Sequence, residues 1–128
     1  MATLEKKKSE ARKAARKAAG ATALLKSARI SARKARAVAN TIKGADIESA
    51  ATSLAFQRKK AAGLIRSVLD SAIANADEKN MDIDKLVVSS IHIEKGPMMK
   101  RLMPRAHGRA FRIRKQTAHI KIELTEGK

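Results

Sequence analysis

Cysteine, tryptophan and tyrosine are absent from this 128-residue chain, and Phe56 and Phe111 are its only large aromatic residues. Without cysteine there are no disulfides, no thiolate chemistry and no Cys-ligated zinc. With two aromatic rings, the stacking platforms by which many proteins grip single strands have almost no material. No apolar run approaches the roughly 20 residues of a membrane helix, and the N-terminus lacks the apolar core of a signal peptide, so a soluble intracellular protein with no membrane partner is expected. Acidic residues are scarce as well: 12 Asp and Glu stand against 29 Lys and Arg, a net charge of +17. In a compact chain that excess repels itself unless a polyanion neutralises it, which points to nucleic acid. The length suits one domain and excludes two catalytic ones.

The charge is localised. Residues 1–20 carry a net +5, residues 21–44 carry +6 and residues 96–116 carry +7, whereas residues 45–95 sum to −1 and residues 117–128 to zero. The middle of the chain is an ordinary globular sequence between basic contact surfaces. Residues 1–20 have helix propensity but no large apolar side chain between Leu4 and Leu24. They read as a basic N-terminal extension, disordered when free, with a helix formed on an anionic surface as the alternative. A transit peptide fits poorly with Glu5, Glu10 and the lysine bias.

Residues 21–128 read as one α+β domain. Ser31 is an N-cap and Gly44 a stop, with Ala35, Val38, Ala39 and Ile42 at helical spacing between them. Asp46 begins a second helix whose apolar positions are Ile47, Ala50, Ala51 and Leu54. The longest periodic stretch, from about Arg58 to Ala76, places Ala61, Leu64, Ile65, Val68, Leu69 and Ala72 on one stripe. After the link Asp77 to Lys85 the period falls to 2. Val87, Ser89, Ile91 and Ile93 then share one strand face, and Ala118, Ile120, Ile122 and Leu124 another, with residues 21–30 as a candidate third strand. Three helices packed on a small antiparallel sheet of about three strands are expected.

Matching Ile91 with Ile122 and Ile93 with Ile120 as an antiparallel pair puts the turn near Ala106 and His107, where Pro104 and Gly108 bracket it. Gly96-Pro97 then interrupts one limb, because proline cannot donate to a ladder. From Glu94 to Pro104 an extended chain covers roughly 33 Å, so a basic hairpin arm at about residues 94–118 protrudes from the domain. Carried outward, this register opposes Arg101 to Arg112, Met99 to Arg114 and Leu102 to Phe111. Like charges directly opposed are destabilising, so such an arm orders on an anion.

Other basic clusters extend the surface. Arg58-Lys59-Lys60 stands at a helix start, where the dipole disfavours cations and a phosphate contact would offset the placement. Arg33, Arg36 and Lys43 project from the polar side of the first helix. His92, His107 and His119 lack metal-site spacing, and Asp82 and Asp84 lack the calcium-loop pattern. There is no Gly-rich phosphate loop, nucleophile elbow or carboxylate pair, so neither a catalytic residue, a metal ligand nor a cofactor is expected. Met98, Met99 and Met103 are exposed in the arm and could wedge against RNA or protein. These residues describe a nucleic-acid-binding structural protein. A free architectural DNA-binding protein with a basic arm fits the same features, and a nuclease lacks a visible catalytic constellation.

The arm carries Glu94-Lys95-Gly96-Pro97, Met99-Lys100-Arg101, Met103-Pro104-Arg105-Ala106-His107-Gly108-Arg109-Ala110 and Arg112-Ile113-Arg114-Lys115-Gln116-Thr117-Ala118-His119-Ile120. Upstream stand Ala28-Arg29-Ile30-Ser31-Ala32-Arg33-Lys34-Ala35-Arg36 and Ser71-Ala72-Ile73-Ala74-Asn75-Ala76. Over roughly residues 22 to 124 this pattern resembles the bacterial-type L22 family of large-subunit ribosomal proteins. The resemblance implies an α+β body bound to 23S rRNA on the subunit surface and a hairpin lining the nascent-peptide exit tunnel. The implied partners are 23S rRNA, neighbouring large-subunit proteins and the nascent polypeptide, with the protein a monomer within a cytoplasmic or organellar ribosome. The expected rRNA-binding residues are Arg29, Arg33, Lys34, Arg36, Lys43, Arg58, Lys59, Lys60, Lys100, Arg101, Arg112, Arg114 and Lys115. The expected tunnel-facing tip is Met103, Pro104, Arg105, Ala106, His107, Gly108 and Arg109. His107 departs from the lysine or arginine that the family pattern suggests at the apex.

Overall fold

Helical periodicity becomes packed faces in the computed structural model, which describes residues 3–18 and 20–127. Helix α1 (Leu4–Ala18) is followed by strand β1 (Ala21–Ala28) and helices α2 (Ala32–Ile42), α3 (Ile47–Phe56) and α4 (Lys60–Glu78). Strands β2 (Leu86–Lys95), β3 (Met99–Pro104), β4 (Ala110–Lys115) and β5 (Ala118–Glu126) complete the order. At the start of α2 the Ser31 hydroxyl accepts from the Lys34 backbone N–H at 3.4 Å, the N-cap expected there. Gly44 adopts φ 78°, which glycine tolerates without strain, and its N–H then reaches the Val88 carbonyl at 2.9 Å.

Three helices lie on an antiparallel sheet of order β1-β5-β2, giving the α+β layers that the two periodicities require. Ala118, Ile120, Ile122 and Leu124 of the central strand are buried, and they meet Val38 and Ile42 of α2 and Ile65 and Leu69 of α4 in one apolar cluster. Each such Ile or Leu side chain contributes about 1.5–3 kcal/mol by leaving water. Residues 21–28 supply the third strand, paired with β5 from Ala21 opposite Leu124 to Ala28 opposite Ala118.

Among the described residues the α-helices number four, not three. The additional one, α1, lies within the basic extension, where Ala, Lys, Arg and Glu dominate and no Gly or Pro interrupts residues 4–18. Leu4 is 80% exposed, and residues 3–12 are exposed throughout. This composition of strong helix formers supplies the local propensity for the helix. Met1, Ala2, Ala19 and Lys128, which fall within the expected extension and domain, lie outside the described residues.

Two insertions of one residue correct the expected strand geometry. Ile91 does pair with Ile122 and Ile93 with Ile120, but Val88 pairs with Leu124 and Ser90 with Glu123, leaving Ser89 as an extra residue. The core face of β2 is therefore Leu86, Val88, Ile91 and Ile93; Val87 is half-buried and Ser89 exposed. Further out, Lys95 pairs with Ala118, and then Gly96–Met98 span the distance that Gln116 and Thr117 span opposite. The ribbon β3–β4 consequently opposes Met99 to Lys115, Arg101 to Ile113, Leu102 to Arg112 and Met103 to Phe111. None of the three outer pairs expected from the uniform register forms, and like charges meet only where Lys100 faces Arg114.

Glu123, on the open face of β5, accepts from Lys121 Nζ and from Ser90 Oγ at 2.6 Å. These bonds, that of Lys121 foremost, hold its carboxyl below the ordinary value of 4.5. The folded state binds this proton less readily than the unfolded chain, so the stabilisation is complete above the ordinary value and is lost as pH falls through the folded one. Glu123→Gln is expected to flatten the acid limb of urea-measured stability below pH 4.5. Coincident acid limbs in the two proteins would contradict this assignment.

Candidate nucleic-acid interface

An open cleft of about 540 Å³ lies where the ribbon joins the body, lined by Arg29, Ile30, Ser31, Lys34, Lys60, Arg114, Lys115 and Gln116. Three separate stretches build it. Arg29 to Ser31 form the bend between β1 and α2, and the Ser31 cap fixes where the first turn of α2 presents Lys34. Lys60 opens α4, while Arg114 and Lys115 end β4. Arg29 Nη1 also donates weakly to Met99 Sδ at 3.9 Å, a contact between body and ribbon.

Five cations thus face one concavity with no carboxylate in its lining. The ion pairs among the described residues are Lys85–Asp82 and Lys121–Glu123, so none of these five is neutralised within the described protein. Charges gathered within a Debye length of about 8–10 Å reinforce one another's attraction for an anion. Arg guanidinium groups add forked donors that match phosphate, and Lys adds point charges. A phosphate chain is the ligand chemistry that such a cleft accommodates.

The remaining basic residues divide into three groups. Arg33, Lys43, Arg58 and Lys59 are exposed on the body outside the cleft. On the ribbon, the register puts Lys100, Leu102, Pro104, Ala110, Arg112 and Arg114 on one face and Met99, Arg101, Met103, Phe111, Ile113 and Lys115 on the other. The first face carries three cations, and the second two cations among four apolar residues. Arg36 is engaged differently: its Nε and Nη2 donate to the Ile93 carbonyl at 3.2 and 2.8 Å, fastening α2 to edge strand β2.

At the apex, a tight turn at Ala106–Gly108 connects the limbs, with Arg105 N–H donating to the Arg109 carbonyl at 2.8 Å. His107 and Gly108 take φ 61° and 67°, left-handed positions in which His is among the tolerated residues and Gly is unstrained. Met103 to Arg109 are all exposed. At the opposite end, Gly96 N–H donates to the Thr117 carbonyl at 2.9 Å and Thr117 Oγ1 to the Pro97 carbonyl at 2.6 Å. Thr117 is only 4% exposed, and a Cβ on Gly96 would lie 2.4 Å from its hydroxyl oxygen. The sequence reading missed Ser31 and Gln116 as cleft residues. For Ser31 the helix-cap signal was present; for Gln116, nothing short of the three-dimensional convergence marks it.

Fold and cleft together define a basic α+β protein with a protruding ribbon and a cation-lined notch at its foot. The chain belongs to the ribosomal protein L22p/L17e family, whose model matches residues 23–125. It is 48% identical over 105 residues to the large ribosomal subunit protein uL22 of Bdellovibrio bacteriovorus, covering 81% of this chain and 96% of that one. It is 51% identical over 106 residues to the large ribosomal subunit protein uL22 of Sulfurihydrogenibium sp., covering 83% and 91% respectively. The family suggested by the arm motifs is therefore the correct one. The basic extension, residues 1–20, lies outside the matched residues.

Proposed function

We propose that this protein is a structural constituent of the large ribosomal subunit that binds 23S rRNA and supports subunit assembly. The observation that carries the reading is the convergence of Arg29, Lys34, Lys60, Arg114 and Lys115 at the foot of a ribbon whose one face carries Lys100, Arg112 and Arg114. In this reading the cleft grips rRNA phosphates and the Lys100, Arg112 and Arg114 face continues the contact outward. The apex, with Arg105, His107 and Arg109, then lines the nascent-peptide exit tunnel. Neighbouring large-subunit proteins and the nascent chain are the further partners, the protein acts as a monomer within a cytoplasmic ribosome, and its role is structural, not catalytic. The names of its relatives, large ribosomal subunit proteins, support the assignment. Among the described residues no helix is long and apolar enough to cross a membrane.

Phosphate contact makes affinity salt-dependent, because each neutralised phosphate releases counterions and contributes a slope of about −0.7 to −0.9 in log affinity against log salt. Five cleft contacts alone give a slope of roughly −3.5 to −4.5. Filter binding to transcribed 23S rRNA at several salt concentrations measures it, and a slope near zero would exclude the reading. The native protein is also expected to sediment with large subunits through a moderate salt wash.

A further inference from the structure

Phe56 is 83% exposed, the most exposed large apolar residue among those described. Its position follows from the helix. α3 buries Ile47, Ala50 and Leu54, and Phe56 stands two residues beyond Leu54, about 200° further round, on the side away from the core. Gln57 and Lys59 are extended, forming the short link to α4. Gln57 Nε2 donates to Thr41 Oγ1 at 3.0 Å, and that hydroxyl donates to the Val38 carbonyl at 2.7 Å. The end of α3 is thus tied to α2, and the ring is presented from a fixed backbone.

Its surroundings in the chain are all of one charge. Arg58, Lys59 and Lys60 follow after Gln57, and no acidic residue occurs between Glu48 and Asp70. Lys60 lines the basic cleft, and four residues of chain place Phe56 within about 14 Å of it. An aromatic face beside several cations matches a nucleotide: the base lies on the ring and the phosphates meet the charges. A protein partner for the same surface would have to be acidic as well as apolar, whereas RNA meets both requirements in each nucleotide.

We propose that Phe56 stacks on an unpaired base of the RNA strand whose phosphates are held by Arg58, Lys59 and Lys60, so that this edge of the interface selects a single-stranded nucleotide. The inference rests on the RNA-binding reading above and adds a base contact to it. A single stacked ring contributes about 1–3 kcal/mol per base, or roughly 5- to 150-fold in affinity.

The test uses the full chain and transcribed 23S rRNA. Phe56→Ala and Phe56→Leu are each expected to weaken binding by roughly 5-fold or more while leaving the salt slope unchanged, and Phe56→Tyr to bind as the wild type does. Ultraviolet cross-linking followed by mass spectrometry is expected to find a nucleotide adduct on Phe56, at a base unpaired in the RNA. Wild-type affinity in Phe56→Leu, a lowered melting temperature that accounts for the loss in Phe56→Ala, or a cross-link in assembled subunits from residue 56 to a neighbouring protein would each overturn the stacking proposal. A wild-type protein with no salt-dependent RNA binding would instead bring down the reading on which it rests.

Discussion

Replacing Arg114 and Lys115 together by glutamate is expected to lower the affinity for 23S rRNA by roughly 100-fold or more. A hydrogen bond to a charged group contributes about 1.5–3 kcal/mol, and two are removed. Each reversal also places a carboxylate where the lining now has none, so repulsion of the phosphate adds to the loss. The salt slope is expected to fall by about two, one for each phosphate no longer neutralised. Both residues are exposed and end β4, and neither contributes to the apolar cluster, so the melting temperature should change little. The matched control is reversal of Arg66 and Lys79, which alters the net charge equally but lies outside the cleft and the ribbon. Equal losses from the two pairs would show that overall charge, and not the cleft, carries binding.

The second large effect concerns the ribbon. Deleting Met99, Lys100 and Arg101 removes three of the six residues of β3, including the partners of Lys115, Arg114 and Ile113. If pairing continues outward from Lys95 and Ala118, Leu102 takes the place of Met99 opposite Lys115. An odd deletion also moves every following side chain of that limb to the other face. Leu102 and Pro104 would then stand on the face now formed by Met99, Arg101 and Met103, and the opposing limb would have to bulge or the apex re-form. The body is complete without these residues, since the apolar cluster lies in β1, β2, β5 and the helices. The deleted protein is expected to keep its urea midpoint and still assemble into subunits. In the tunnel reading it would change the passage of a stalling peptide through those particles. Unchanged stalling in fully assembled subunits would contradict a tip that lines the tunnel, whereas failure to fold would contradict the independence of the body.

Features fixed by local periodicity could be read from the residues. The faces of α2 and α3, the stripe of α4, the alternation of β5 and the apex between Pro104 and Gly108 follow from spacing or turn chemistry, as does the Ser31 cap. Ser89 and the Gly96–Met98 stretch broke the strand reading because each adds one residue to one strand without altering composition. A period-2 pattern holds its face only until such an addition. The cleft was legible as charge but not as a place: Arg29, Lys60 and Lys115 are far apart in sequence, and only the antiparallel return of the chain unites them. Arg36 could not be told from its neighbours, because a guanidinium fastened to a carbonyl leaves no mark in the sequence. The scarcity of aromatic rings argued against stacking platforms, yet one exposed ring is sufficient for one base.

The break between the two sheets has a mechanical consequence. Because the ladder does not run continuously from β2 into β3, the bearing of the ribbon is set at the pivot where Gly96, Pro97 and Thr117 meet, with the weak Arg29–Met99 contact beside it. Six residues of strand make a lever of about 20 Å, so a tilt of about 10° at the pivot swings the far end by about 3.5 Å, the breadth of one atom contact. A methyl group at position 96, crowded to 2.4 Å from the Thr117 hydroxyl, would act on that hinge and not on the end it steers. The aim of the outermost residues is thus steered from Gly96, Pro97 and Thr117 at the opposite end of the lever.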